Sequence, residues 1–353
     1  MKNNYSFFEQ ILHRLSVGNP LFNELSFDLE KSLYLTQAKQ IQPQVIFISG
    51  FARSGTTSLL NHLVNAQVGH SLSYQDLPFL FMPNLSATWR TKKMASAPME
   101  RAHGDHILIN EDSPEAIDEI FWKSQLANSY IKERQLELHE LSEEDIIEYK
   151  HFIQLHLVKS GREIYLTKNN NSILRLNSLT NQSKLSIRFI FTIREPYSHA
   201  RSLWKQHIQF AKIHQNDAFS RAYFNSLGHH EFGLTLKSFD LGNKELNAKL
   251  NKLDPMELDY WLVSWLNYYQ YLFSQYSDKW LLVDFQDLCS NPNELMQTIT
   301  EAWKLPSSFS PIEAYQAPNY KLNEVNCTAD LLEGCQELYS KFKPLCLAFP
   351  SND

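Results

Sequence analysis

The sequence predicts a three-layer α/β fold, with a central parallel β-sheet flanked by helices on both faces and helical insertions outside it. Three observations predict it. Two apolar runs, Val45–Ile48 and Phe189–Ile193, each pass through a polar turn directly into a helical pattern. A third buried run, at 279–284, recurs late in the chain. Strand-like runs alternate with helical periodicity between them, as expected of parallel strands joined by helical crossovers.

Residues 5–16 place Phe7, Phe8, Ile11, Leu12 and Leu15 among polar neighbours. They read as a surface helix packed on the domain, with a membrane-associating amphipathic helix as the alternative. The stretch lacks the continuous apolar run and small-residue cleavage site of a signal peptide. A helix is expected at about 28–40. The first core strand, about 44–49, is β-branched or aromatic and suits a buried position; its helix covers about 56–66. Ser113-Pro114-Glu115 offers a cap, a first-turn proline and an acid to a helix carrying Ile117, Ile120, Phe121 and Trp122. Ser142-Glu143-Glu144-Asp145 opens another, 143–159. A strand at about 163–167 runs into Lys168-Asn169-Asn170-Asn171, then a helix at 172–180 and the strand at 187–193. Residues 197–275 are helix-rich, and their aromatics, among them Trp204, Trp261, Trp265 and Tyr268, read as core. The strand 279–284 and helices at about 292–304 and 329–342 follow. One domain spans 1–353: a helical segment 1–40, an α/β core at about 41–305 and a helical segment 306–353.

The chain is 43% hydrophobic, enough for a large core, and its net charge of −6 gives no general case for nucleic acid or an anionic membrane. No apolar run reaches membrane-spanning length. Cys289, Cys327, Cys335 and Cys346 form no CxxC pair. They read as reduced thiols of a cytoplasmic protein, with a Cys327–Cys346 disulfide as the alternative.

The first turn carries phosphate chemistry. Gly50 and Gly55 let the backbone curl around an anion, and Thr56, Thr57 and Ser58 bring hydroxyls and N–H groups to a helix N-terminus. The spacing overlaps the P-loop pattern, which requires lysine directly after the second glycine. Thr56 stands there instead, and the cation sits within the turn at Arg53. Without that lysine the chain is a poor nucleotide-hydrolysing candidate, so a P-loop kinase or NTPase is the alternative reading. In the second unit Arg194 ends the strand, Pro196 begins the helix and Ser202 lies within it. Such an arginine and hydroxyl suit a second phosphate.

With both turns in view, the chain resembles the sulfotransferases that use 3′-phosphoadenosine 5′-phosphosulfate (PAPS). Arg53-Ser54-Gly55-Thr56-Thr57 is similar to their 5′-phosphosulfate loop, Arg194-Glu195-Pro196 followed by Ser202 to their 3′-phosphate site, and Trp280–Pro292 to their late strand and loop. The resemblance covers about 41–305 and is nearest to bacterial members related to the tyrosylprotein and glycan branch. It implies PAPS as co-substrate, PAP as product, a hydroxyl or amine acceptor, and no metal. It implies PAPS binding by Arg53, Ser54, Gly55, Thr56, Thr57, Ser58, Arg194 and Ser202. Arg53 is the candidate for stabilising charge on the leaving phosphate, with Lys168 as a second cation. Asp76, where related enzymes carry glutamate, and His103, with Asp105 to orient it, are the competing bases. Leu227–Phe232 is a candidate acceptor-pocket lining, and a carbohydrate or hydroxylated metabolite the favoured acceptor. A protein that binds PAP or PAPS without catalysis is the remaining alternative.

Overall fold

The computed structural model describes residues 19–77, 79–89, 117–308, 310–318, 320 and 325–347, and the backbone of 99–100 and 108–109. His103, Asp105, the helix expected at 5–16 and the start at Ser113 lie outside these.

Helix α1 (Pro20–Ala38) begins well before residue 28, because Asn19 caps it by accepting from the N–H groups of Leu21 and Phe22 and Pro20 takes its first position. Strand β1 (Gln44–Ser49) leads into α2 (Thr56–Asn65), then α3 (Pro83–Trp89) and the short strands β2 (Met99–Glu100) and β3 (Leu108–Ile109). Helix α4 (Glu119–Tyr130), strand β4 (Gln135–Glu137) and α5 (Glu143–Ser160) precede β5 (Ile164–Lys168). The expected helix at 172–180 is divided into a 3-10 turn, Asn170–Arg175, and α6 (Leu176–Asn181). Next come β6 (Ser186–Ile193), α7 (Pro196–Asn216), α8 (Ala218–Leu227), β7 (Ser238–Asp240), α9 (Lys244–Leu250) and α10 (Leu258–Ser274). Strand β8 (Leu281–Asp284), α11 (Phe285–Ser290), α12 (Pro292–Trp303) and α13 (Ala329–Phe342) complete the described fold.

The central sheet has the order β5–β1–β6–β8, and every pairing in it is parallel. Side chains alternate across it. Val45, Phe47, Tyr165, Phe189 and Phe191 enter one core with Tyr149 and Phe152 of α5 and Tyr268 and Tyr269 of α10. Ile46, Ile48, Leu166, Ile190 and Val283 enter the other with Leu59, Leu60 and Leu63 of α2 and Leu295, Met296 and Ile299 of α12. Both faces are covered, as an all-parallel sheet requires, and the three-layer architecture expected from the sequence is the one observed. The register sets Ile48 opposite Lys168, and Ile193 opposite Asp284. The strand ends carrying the phosphate-type turns therefore lie along one edge of the sheet, where ligands of open α/β sheets bind.

A parallel pair β4–β7 lies outside the central sheet. All four cysteines are free thiols, with Cys289 and Cys335 buried. Among the described residues no helix is long and apolar enough to cross a membrane.

Candidate active site

The turn after β1 is shaped by two glycines for different reasons. A Cβ on Gly50 would lie 2.3 Å from Thr192 Oγ1, 2.5 Å from Ser54 Oγ and 2.9 Å from the Thr192 carbonyl oxygen. Gly50 is thus dictated by the close approach of β6. Gly55 has φ +98°, a left-handed conformation, and its missing Cβ would meet Phe285 and Leu288 at 2.8 Å. As the N-cap of α2 it has no side chain to satisfy the first N–H groups of that helix, so they remain turned to whatever lies in the turn. Arg53 also adopts a positive φ, 72°. A non-glycine residue held there carries strain of about 1–2 kcal/mol.

The second turn secures the first. Arg194 Nη1 donates to the Arg53 carbonyl oxygen at 3.1 Å, and His199 Nε2 donates to that of Ala52 at 2.7 Å. Ser54 Oγ and Thr192 Oγ1 are 2.6 Å apart, and Arg53 Nε donates to Ser202 Oγ at 3.4 Å. The two stretches that the sequence marked as phosphate-type, separated by more than a hundred residues, share one site. The aromatic helix α10 fixes the backbone below. Tyr269 OH donates to the Thr192 carbonyl oxygen at 3.0 Å and Trp265 Nε1 to that of Arg194 at 3.2 Å.

Arg194 is only 3% exposed. Its guanidinium bonds Ser198 Oγ at 2.9 Å and lies 4.3 Å from the centre of the Phe285 ring. Its Nε is buried without a hydrogen-bond partner among the described residues. Burial, with the Arg53 charge nearby, pulls its pKa down to about 10, so it stays charged at neutral pH. A buried cation with an unmade hydrogen bond is a strong anion acceptor. The N-terminus of α7 is less open than the sequence suggests, because the Glu195 carboxylate accepts from the N–H groups of Tyr197 and Ser198. An anion at this turn would therefore meet side chains rather than the N–H groups of Tyr197 and Ser198.

Ser54 and Thr56 are buried, whereas Gly55, Thr57 and Ser58 are half-buried. Ser58 Oγ lies 3.1 Å from Tyr315 OH. Lys168, 9% exposed, ends β5 directly opposite Ile48. The residue after it ties this strand end to the first turn: Asn169 N–H donates to the Ile48 carbonyl oxygen, and Ser49 Oγ donates to that of Asn169 at 3.2 Å.

Asp76 has other partners. It closes a capping box with Ser73, and Lys159 Nζ lies 2.6 Å from its Oδ1. Burial alone would raise its pKa, but Lys159, His156 and His70 outweigh that and hold it at about 2.

Sequence reasoning passed over His199, Arg201 and Glu119. His199 and Arg201 lie within the stretch read for Arg194 and Ser202, and the helical spacing 198, 199, 202 was the available signal. Arg201 is 4% exposed, 5.2 Å from the Trp204 ring and 5.5 Å from Tyr320; Lys205 Nζ lies 4.5 Å from the same Tyr320 ring. Glu119 is buried and paired in bidentate fashion with Arg175 at 3.0 Å, and its Oε2 also accepts from Asn169 Nδ2 at 2.8 Å. Nothing in the sequence linked that acid to the strand end.

No protein-family model matches the chain, and no curated protein does. Among solved structures, the chain is similar to sulfotransferase STF1 from Mycobacterium tuberculosis at 10% identity, covering 94% of this chain and 85% of that one, with TM-score 0.47. It is similar to sulfotransferase STF9 from Mycobacterium avium at 12% identity, covering 95% and 77%, with TM-score 0.42. It is similar to the sulfotransferase domain of the curacin biosynthetic pathway at 12% identity, covering 88% and 94%, with TM-score 0.32. Likenesses this distant transfer no activity to this chain.

Proposed function

We propose that the protein is a PAPS-dependent sulfotransferase that moves a sulfuryl group to a hydroxyl acceptor. The observation that carries this reading is the joining of the turns after β1 and β6 through Arg53, Ser202 and the buried Arg194, at the carboxyl ends of parallel strands. A nucleotide with phosphates at both ends of its ribose needs two such turns, and one with a single polyphosphate chain does not.

The residues suit the group. The N–H groups of Gly55–Thr57, Arg53 and the hydroxyls of Thr56, Thr57 and Ser58 would hold the 5′-phosphosulfate, whereas the Ser54 N–H donates to the Phe51 carbonyl oxygen. Arg194, Ser202 and Arg201 would hold the 3′-phosphate, with Arg194 Nε supplying a hydrogen bond it otherwise lacks. When bound, PAPS supplies an activated sulfuryl group on a phosphate leaving group. The protein's part is to place positive charge and N–H donors where negative charge grows on that phosphate, and the Arg53 guanidinium is the nearest such group in the first turn. Lys168 brings a second cation from the neighbouring strand end. Of the two proposed bases, Asp76 is engaged by Lys159 and held at a pKa of about 2, too low for an efficient proton acceptor, which favours His103. A bacterial member allied to the tyrosylprotein and glycan branch, working in the cytoplasm on a carbohydrate or similar metabolite, is the form of this proposal we favour.

The test is calorimetric titration with PAP, ATP and AMP. Binding of PAP that requires the 3′-phosphate and no magnesium is expected. Binding of ATP with none of PAP would overturn the reading. Arg53→Ala should lower transfer by roughly 10²–10³-fold, the usual effect of losing one transition-state donor. Ser202→Ala should chiefly raise the KM for PAPS.

A further inference from the structure

One peptide bond in the turn after β1 can face two ways. Ser54 N–H donates to the Phe51 carbonyl oxygen at 3.1 Å, which makes residues 51–54 a β-turn with Ala52 and Arg53 at its centre. Of those two, Arg53 has a positive φ, 72°, and Ala52 does not. That combination is a type II turn, whose third residue is ordinarily glycine or asparagine. A type I turn would close the same hydrogen bond with Arg53 at negative φ, and it suits most residues. The two forms differ by turning over the peptide plane between Ala52 and Arg53. Local preference therefore favours type I, and a tertiary contact must hold type II.

That contact comes from α7. The Ala52 carbonyl is the one that points in opposite directions in the two turn types, and His199 Nε2 donates to it at 2.7 Å. The next carbonyl, that of Arg53, is fixed separately by Arg194 Nη1 at 3.1 Å. His199 is fully buried, with the rings of Phe51 and Tyr269 at 5.8 and 6.1 Å. A carbonyl only accepts, so Nε2 carries the proton and Nδ1 is a bare lone pair. Nδ1 is buried without a hydrogen-bond partner among the described residues. Burial, with the Arg194 charge, lowers the pKa to about 3, so the ring stays neutral. A phenyl ring would fill the same space without stranding a nitrogen. Packing therefore does not account for the imidazole, whereas its single hydrogen bond does.

The facing of this peptide reaches the Arg53 side chain. With φ at 72°, Arg53 Nε lies 3.4 Å from Ser202 Oγ. Turning the peptide over takes φ to negative values and swings Cβ, and the guanidinium, several bonds further out, moves more than Cβ does. A misplacement of about 1 Å can cost a reaction roughly a hundredfold.

We propose that His199 is the positioning residue of this site: its Nε2–H fixes the 52–53 peptide, keeps Arg53 left-handed and so aims the guanidinium at the 5′-phosphate of the nucleotide. That role rests on the sulfuryl-transfer reading, though the turn geometry does not.

The test is NMR of the full-length protein, with calorimetric titration of PAP and of adenosine 3′-phosphate. In the unsubstituted protein the His199 ¹⁵N shifts should place a proton on Nε2 alone. The Arg53 amide should give the strong Overhauser effect to its own α-proton that marks a positive φ. His199→Phe should lose that effect and weaken PAP by roughly tenfold, the worth of one charge-assisted hydrogen bond. Adenosine 3′-phosphate, which brings no 5′-phosphate to Arg53, should bind it as it binds the unsubstituted protein. His199→Gln, which keeps a donor at similar reach, should restore both the Overhauser effect and PAP affinity. Arg53→Ala added to His199→Phe should weaken PAP no further, because the guanidinium is already out of place. A proton on Nδ1, a positive φ retained in His199→Phe, or equal losses for the two nucleotides would each overturn the proposal. The measurements on the unsubstituted protein decide the turn even where His199→Phe does not fold. No PAP binding by the unsubstituted protein, with Nε2 protonated and Arg53 at positive φ, would bring down the sulfuryl-transfer reading and leave the fixing of the turn standing.

Discussion

Gly50 shows how one absent carbon sets the site. Its hydrogen faces the Thr192 hydroxyl at a distance no side chain tolerates, and Ser54 closes over it to reach the same hydroxyl. Gly50→Ala should therefore destabilise the protein by about 1–3 kcal/mol, the usual cost of overpacking, readable as a lower urea midpoint. Two buried aspartates make opposite contributions to stability as pH changes. Asp76 has its folded pKa depressed from 3.8 to about 2, so its contribution is present above pH 4 and is lost as pH falls toward 2. Asp118 is raised to about 6, by burial despite hydrogen bonds from Tyr149 and Tyr165. The folded state holds its proton longer than the unfolded state, so its contribution is present below pH 4 and fades as pH rises through 6. Asp118→Asn should flatten the stability profile between pH 4 and 6. An unchanged slope in urea titrations across that window would refute the assignment.

Among the elements, the turn after β5 depends on α4. Glu119 receives Arg175 in bidentate fashion, Tyr130 OH and Asn169 Nδ2, and Arg175 also lies 4.8 Å from the Trp122 ring. Glu119→Gln leaves Arg175 charged and buried, and should cost about 3–5 kcal/mol with faster amide exchange at 169–172. Glu119→Leu with Arg175→Met should recover most of that stability, since well-packed apolar replacements of buried pairs are often neutral. This is also where sequence reading fell short. Strands β1 and β6 were legible because β-branched and aromatic runs meet glycine- or proline-bearing turns, and α13 because its apolar residues repeat helically between polar neighbours. Strands β4 and β7 are three residues each, too short to show a period. The pairings Glu119–Arg175 and Asp76–Lys159 join residues far apart in sequence, and a lone acid carries no sign of the cation it will meet. Asp76 was a candidate base because related enzymes carry glutamate there; only the folded chain supplies Lys159.

For the molecule as a whole, the charge is acidic, −6, yet Arg53, Arg194, Arg201 and Lys205 gather around the two turns. Binding of a multiply charged nucleotide there should be screened by salt. PAP affinity should fall several-fold between 50 mM and 500 mM NaCl, and an affinity indifferent to salt would argue against a charge-dominated site. The order β5–β1–β6–β8 was not readable from the strands themselves, since parallel neighbours are chosen by crossovers and packing. The meeting of Arg53 with Ser202 follows from that order, because β1 and β6 lie side by side.

Helix α13 gives the assembly an order in time. Gln336 donates to Glu195, the cap of α7, while Tyr339 OH and Lys343 Nζ reach Asp284 at the end of β8. Both strand ends are thus braced by the last described helix. During synthesis, every strand of the central sheet and the turns after β1 and β6 leave the ribosome before those braces exist. A nascent chain would hold both turns unbraced, and a message truncated near residue 325 would encode the proposed site without the scaffold that keeps it in place.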